Sequence, residues 1–208
     1  MFGLDALLGR LALARLAREE GPEHARPAEG VSEPGARAAV AAILRERPGG
    51  EAELFFIQRA EHPKDPWSGH IAFPGGRHEP TDASLLATAI RETQEEVGLD
   101  LTRAELVGRL PDVPAFSRSK RGRLVVTPWV FAMRGEPAVT PNEEVQSVIW
   151  TPFSTLARGE GRGTYAFTYE DKPYELPCIR LEPGQKVLWG MTYRMLETML
   201  EALGMPYT

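Results

Sequence analysis

Hydrophobic positions along the chain recur with two periods, and the change from one to the other marks its elements. Leu4, Leu7, Leu8 and Leu11 share one helical face near the start. Ala38-Ala39-Val40-Ala41-Ala42-Ile43-Leu44 and Glu53-Leu54-Phe55-Phe56-Ile57 read as two strands around a Pro48-Gly49-Gly50 turn. His70-Ile71-Ala72-Phe73 reads as a short strand running into Pro74-Gly75-Gly76. A helical pattern follows, capped by Asp82 or Thr81 and ended by Gly98. Leu106 to Leu110, Leu124 to Met133 and Val145 to Trp150 suggest further strands, the last stopped by Thr151-Pro152. Gly159 to Gly184 reads as a hairpin insertion around Tyr165-Ala166-Phe167-Thr168-Tyr169, and Val187 to Leu203 as a closing amphipathic helix. No internal repeat stands out. Strands mixed with two main helices predict an α/β fold, a sheet covered by helices on both sides.

The segment Arg91-Glu92-Thr93-Gln94-Glu95-Glu96-Val97-Gly98-Leu99 is the most informative. On a helical wheel with Glu92 at zero, Glu96 falls near ~40° and Glu95 near ~300°. Leu86, Ile90, Thr93 and Val97 fall between roughly 100° and 160°, and Leu85 is the exception on the acidic side. The apolar stripe is then expected to pack on the sheet while the carboxylates point outward together. Carboxylates about 6 Å apart repel by roughly 3 kcal/mol at an effective dielectric of 20, and by under ~1 kcal/mol in bulk water. In a cleft, a divalent cation relieves that repulsion, and oxygen-only ligands suit Mg²⁺, Mn²⁺ or Ca²⁺ rather than zinc.

Composition bounds the rest. The 208 residues are enough for one domain with a real core, and 42% hydrophobic with 25% charged content is ordinary for a soluble chain. A net charge of −5 argues against a general nucleic-acid-binding surface. The single cysteine, Cys178, excludes an internal disulfide and agrees with a reducing, cytoplasmic setting. His24, His62, His70 and His78 are scattered, without the spacing of a zinc site. No apolar run is long enough to cross a bilayer, and Asp5, Arg10, Arg15, Arg18, Glu19 and Glu20 interrupt the first segment too early for a secretory signal. That segment is expected to dock on its own domain or, in a homodimer, on a second subunit. Gly21 to Gly35 is rich in Pro, Glu and Gly. Residues 1–35 are therefore expected to form a helix and linker, dispensable for chemistry, ahead of a catalytic domain over 36–208.

Gly76, fourteen intervening residues, then Arg-Glu-x-x-Glu-Glu-x-Gly-Leu strongly resembles the Nudix box, the signature of hydrolases that cleave a nucleoside diphosphate linked to another moiety. The common form is G-x5-E-x7-R-E-U-x-E-E-x-G-U. Here the loop is one residue longer, the upstream Glu position is Ala83 with Asp82 beside it, and the first aliphatic position is Thr93. The resemblance implies an α/β/α Nudix sandwich. It also implies Glu92, Glu95, Glu96 and the Gly76 carbonyl as ligands of Mg²⁺, with Mn²⁺ as an alternative. Arg91 would orient the glutamates; the alternative is a surface partner at helical spacing. A general base can lie outside the box. Pro141 to Phe153 resembles the family segment that carries one and aligns Glu144 rather than Glu143 with it, a solvated loop carboxylate being the other reading.

Two further segments are similar to coenzyme A pyrophosphatases. Phe55 to Ala60 with Gly69 to Gly76 follows their LLTxR[SA]-x3-R-x3-G-x3-FPGG pattern through Arg59, Ala60, Gly69 and FPGG, with one extra residue and no inner Arg. Lys64 and Asp65 stand near the place of that Arg, and Trp189-Gly190-Met191-Thr192 matches the family's helix start. Arg59 and His70 are then expected at the substrate. The basic loop Ser117 to Arg123 offers Arg118, Lys120 and Arg121 to a substrate phosphate, or is simply an exposed hairpin tip. The expected activity is hydrolysis of coenzyme A or a derivative. ADP-ribose, a dinucleotide or a damaged nucleoside triphosphate is the second enzymatic reading, and a non-catalytic nucleotide-binding regulator the rival from another class. No nucleic-acid or membrane partner is expected.

Overall fold

Three long strands are apolar on both faces, so they must lie between two layers of cover. They are β1 (Arg37–Glu46), β2 (Ala52–Arg59) and β7 (Val125–Met133). The computed structural model describes residues 2–14, 16, 36–61, 68–115, 124–169, 172–181 and 186–207. Between β2 and β7 come β3 (Ile71–Ala72), β4 (Gly75–Arg77), helix α2 (Leu85–Val97), β5 (Glu105–Arg109) and β6 (Val113–Pro114). After β7 come β8 (Val145–Pro152), α3 (Phe153–Ala157), β9 (Arg162–Tyr169), β10 (Lys172–Leu181), β11 (Lys186–Trp189) and α4 (Gly190–Ala202). Helix α1 (Leu4–Leu13) precedes them all.

The main sheet runs β3-β2-β1-β7-β5, with β4 added to β1, β6 to β7 and β8 to β2. β1 and β7 are parallel, in register from Arg37↔Val125 to Arg45↔Met133. The other pairings are antiparallel, so the sheet is mixed. Successive β1 residues feed opposite cores. Ala39, Ala41 and Ile43 pack with Leu85, Ala89 and Val97 of α2 on one side. Ala38, Ala42 and Leu44 pack with α1 and α4 on the other. This is the three-layer α/β/α arrangement expected from the sequence. A second sheet, β11-β10-β9, stands beside it.

Helix α1 docks on its own domain. Leu4, Leu7 and Leu11 are fully buried in the core shared with α4. The Ala52 N–H donates to the Phe2 carbonyl at 2.8 Å, and Arg10 donates to the Leu203 carbonyl at 3.0 Å. The linker expected over Gly21 to Gly35 lies outside the described residues. No described helix is long and apolar enough to cross a membrane.

Two expectations need correction. The closing helix does not begin at Val187. Residues 186–189 pair with β10 as strand β11, and α4 starts at Gly190. The acidic helix is capped by Ser84, whose side chain accepts the Ala87 N–H at 3.0 Å, and not by Asp82 or Thr81.

Candidate active site

The glycine turn is fastened to the central strand. Val40 pairs with Gly75, Ala39 with Gly76 and Ala38 with Arg77, and the Ala41 N–H donates to the Pro74 carbonyl at 2.8 Å. Gly75 has φ 144°, and a Cβ there would fall 2.5 Å from Val40 Cα. Any side chain at this position collides with backbone, so the close approach of β4 to β1 requires glycine. At Gly76 the obstacle is a different one. A Cβ would fall 2.5 Å from either carboxylate oxygen of Glu92, so that carboxylate lies directly against the turn.

Helix α2 is rolled relative to the sequence expectation. Its buried positions are Leu85, Thr88, Ala89, Thr93, Glu96 and Val97. On the wheel these centre near ~50°, not on the stripe between roughly 100° and 160°. Leu86 and Ile90 are only partly buried, and Leu85 is an ordinary member of the inner face. Glu96 therefore faces inward, 3% exposed, instead of pointing out with its neighbours. The roll is tolerated because the Gly75 N–H donates to Glu96 Oε2 at 2.8 Å and the charge of Arg59 lies nearby. Gly98 ends the helix as expected, in the left-handed conformation at φ 71°.

Burial and like charge concentrate on the same carboxylates. Burial pushes the Glu96 carboxyl up to about 7; the Gly75 N–H and Arg59 oppose that rise, while Glu92 and Glu144 add to it. Burial also raises Glu92, against the pull of Arg91 and with further push from Glu95 and Glu144. The exposed Glu144 is thus close enough to act on both. Its loop is fixed on three sides. The Ala60 N–H donates to the Glu144 carbonyl at 2.8 Å, the Glu144 N–H to the Asn142 side chain at 2.9 Å, and the Asn142 N–H to the Glu96 carbonyl at 2.8 Å.

Arg91 is the hub of this face. It donates from Nε to Asp82 Oδ1 at 2.7 Å and from Nη2 to Asp82 Oδ2 at 2.9 Å. It also pairs with Glu92 and Glu95, each at 3.0 Å, and donates to the Arg77 carbonyl at 3.2 Å. Asp82, 4% exposed, further accepts the Thr88 hydroxyl at 2.8 Å and the Glu79 N–H at 3.0 Å. The hydrogen bond from Arg91 holds the Asp82 carboxyl well below the usual carboxylate range, and Arg91 is raised in turn. Asp82 was not among the site residues expected from the sequence. The signal was there, an acid one residue from the place where the box carries Glu, but spacing alone did not say where it points.

The three box carboxylates do not converge equally. Glu92 and Glu96 line the glycine turn, while Glu95, 55% exposed, turns outward to Arg91. Among the described residues no three His, Cys, Asp or Glu side chains close into a metal cage. Two carboxylates beside the Gly76 backbone still form an all-oxygen donor set, which fits Mg²⁺ or Mn²⁺ held partly by water and substrate. Arg59 lies near Glu96, and its N–H donates to the His70 carbonyl at 3.0 Å, so the two residues of the upstream motif stand opposite each other. Arg118, Lys120 and Arg121, and likewise Lys64 and Asp65, lie outside the described residues.

A mixed sheet between helical layers carries an acidic helix over a glycine turn, and comparison with known proteins gives this arrangement a family. The model of the NUDIX domain matches residues 35–170, and the chain belongs to the Nudix hydrolase family. It is 31% identical over 172 residues to the Nudix hydrolase NudL of Salmonella newport, covering 78% of this chain and 79% of that protein. It is 39% identical over 107 residues to an uncharacterized protein of Schizosaccharomyces pombe, where the match spans 50% of this chain and 32% of the longer protein. Among solved structures it is similar to a MutT/nudix family protein from Enterococcus faecalis, with a TM-score of 0.53 and 18% identity over 89% of this chain and 71% of that one. At that identity the likeness shows the fold. The chain is accordingly a pyrophosphatase of the Nudix class, acting on a nucleoside diphosphate derivative.

Proposed function

We propose that Glu92, Glu96 and the Gly76 carbonyl hold a divalent cation, Mg²⁺ or Mn²⁺, for hydrolysis of a nucleoside diphosphate linked to a second moiety. The observation that carries this reading is the pair of carboxylates brought against the glycine turn, one of them buried at a cost that a cation would offset. When bound there, the cation would neutralise charge on the diphosphate and lower the pKa of a water. Water adds across the phosphoanhydride, so that one P–O bond forms, the bridging bond breaks and the second phosphate leaves. Glu144 takes the proton of that water on its carboxylate. Its position beside Glu92 and Glu96 supports this role over that of a solvated loop acid. Arg91, locked by Asp82, positions Glu92 and Glu95.

Within this class we infer coenzyme A or a derivative as substrate. The support is the upstream motif with Arg59, Ala60, Gly69 and FPGG, and the Trp189-Gly190-Met191-Thr192 start of α4. Hydrolysis of coenzyme A, ADP-ribose and dinucleotides with Mg²⁺ and with Mn²⁺, products identified by mass, tests the substrate. Glu92→Gln and Glu96→Gln test the site, because a neutral amide is a poor ligand for a hard cation. Each is expected to lower turnover by orders of magnitude while the fold persists. Near-normal turnover of both at saturating Mg²⁺ overturns the assignment.

A further inference from the structure

The second sheet carries an aromatic cluster that the hydrolytic machinery leaves unused. Tyr165 and Phe167 of β9 share one face, and Trp189 of β11 meets both, with ring centroids at 4.8 and 4.5 Å. The His70 ring closes on the same tryptophan, edge-on, at 4.8 Å. Trp189 is 7% exposed and forms the floor, whereas Tyr165, Phe167 and His70 are half-buried and form the rim. Most of this sheet, β10 and β11, lies beyond the residues matched by the family's domain model.

The cluster is continuous with the acidic pair. The charge of Arg59 acts on Glu96, and Arg59 donates its N–H to the His70 carbonyl across the strand pair. Arg59 is thus the cross-strand neighbour of His70, whose ring meets Trp189, so a single residue joins Arg59 to the cluster. Tyr165, Phe167 and His70 are tilted by 40 to 70° against the Trp189 ring, so the cluster presents ring faces and edges of the kind on which a flat aromatic group packs. The His70 imidazole and the Tyr165 hydroxyl add polar groups of the kind a base edge uses. From this geometry we propose that Tyr165, Phe167 and His70, seated on Trp189, form the subsite for the nucleobase of the substrate, with Arg59 leading from the diphosphate to it. The proposal rests on the hydrolytic reading above for where the diphosphate lies.

Binding separates the two. In calorimetry with the full chain and Mg²⁺, ADP should bind roughly tenfold or more tighter than ribose 5-diphosphate, which keeps the diphosphate and sugar but lacks the base. Phe167→Leu and Tyr165→Leu should each weaken ADP roughly tenfold and leave ribose 5-diphosphate unchanged. In hydrolysis, the same variants should raise KM for every adenosine diphosphate ester the enzyme cleaves. Equal affinity of the wild type for the two ligands overturns the subsite even if the variants fail to fold. Equal losses for both ligands overturn it as well. A rise in KM confined to esters with a long aliphatic arm, with ADP binding spared, assigns the cluster to that arm and overturns the base. Absence of hydrolysis with the ADP preference intact refutes the catalytic reading and not the subsite.

Discussion

Asp82→Ala is the sharpest test of how the acidic helix is held. The native side chain is 4% exposed and receives two charge-assisted hydrogen bonds from Arg91, at 2.7 and 2.9 Å, together with those from Thr88 and Glu79. Removing one partner of a buried ion pair costs about 3–5 kcal/mol. Arg91 retains Glu92 and Glu95 and is 25% exposed, so the lower end applies, about 3 kcal/mol. For a chain of this length that corresponds to a fall of roughly 6–12 °C in Tm. Glu92 also loses its anchored partner, and loss of such a supporting contact typically costs about 10–100-fold in metal affinity or activity. Thermal unfolding of the metal-free protein and a Mg²⁺ titration of kcat/KM measure the two effects. Asp82→Asn keeps the size and most acceptors but not the charge, and should fall between Ala and wild type in both. Unchanged stability and an unchanged Mg²⁺ requirement in Asp82→Ala would refute the reasoning, since Arg91 would then be held by something other than Asp82.

The inward Glu96 makes metal-free stability pH-dependent. Its carboxyl is raised from 4.5 to about 7, so the folded state binds the extra proton and stability falls as pH rises through that window, by about 3 kcal/mol in all. Melts at pH 5 and pH 8 should show that slope, and Glu96→Gln should flatten it; a slope unchanged in the variant contradicts the burial argument. Thr93 is fully buried and its hydroxyl has no hydrogen-bond partner among the described residues, so Thr93→Val should stabilise by about 1 kcal/mol in urea unfolding. Leu7→Ala should cost about 2–5 kcal/mol, because Leu7 is fully buried in the core shared with α4. For the same reason, a chain beginning near Gly35 is expected to lose stability even though every matched motif lies after that point. A truncated chain as stable as the full one would show that α1 contributes little to the packing.

Much of this protein was legible from residue pattern alone. Strands β1, β2, β7 and β8 announced themselves by apolar content between turn residues, and the end of α2 by Gly98, because these depend on neighbours in sequence. The Arg91 to Leu99 segment identified the chemistry for the same reason, its side chains being positioned by one short helix. Tertiary structure decided which way that helix faces. The wheel gives relative angles but no origin, and the origin was set by the glycine turn, whose Gly75 N–H donates to the inward Glu96 carboxylate. It likewise decided that Asp82 takes Arg91, that Ser84 caps the helix, and that residues 186–189 extend a strand before α4 begins. In each case several nearby residues could have made the contact, and the packed geometry selected one. The meeting of His70 with Trp189 is the extreme case, two residues far apart in sequence that come together because β11 packs beside β3. No period in the sequence carries that information, since packing between elements, and not spacing within one, creates the contact.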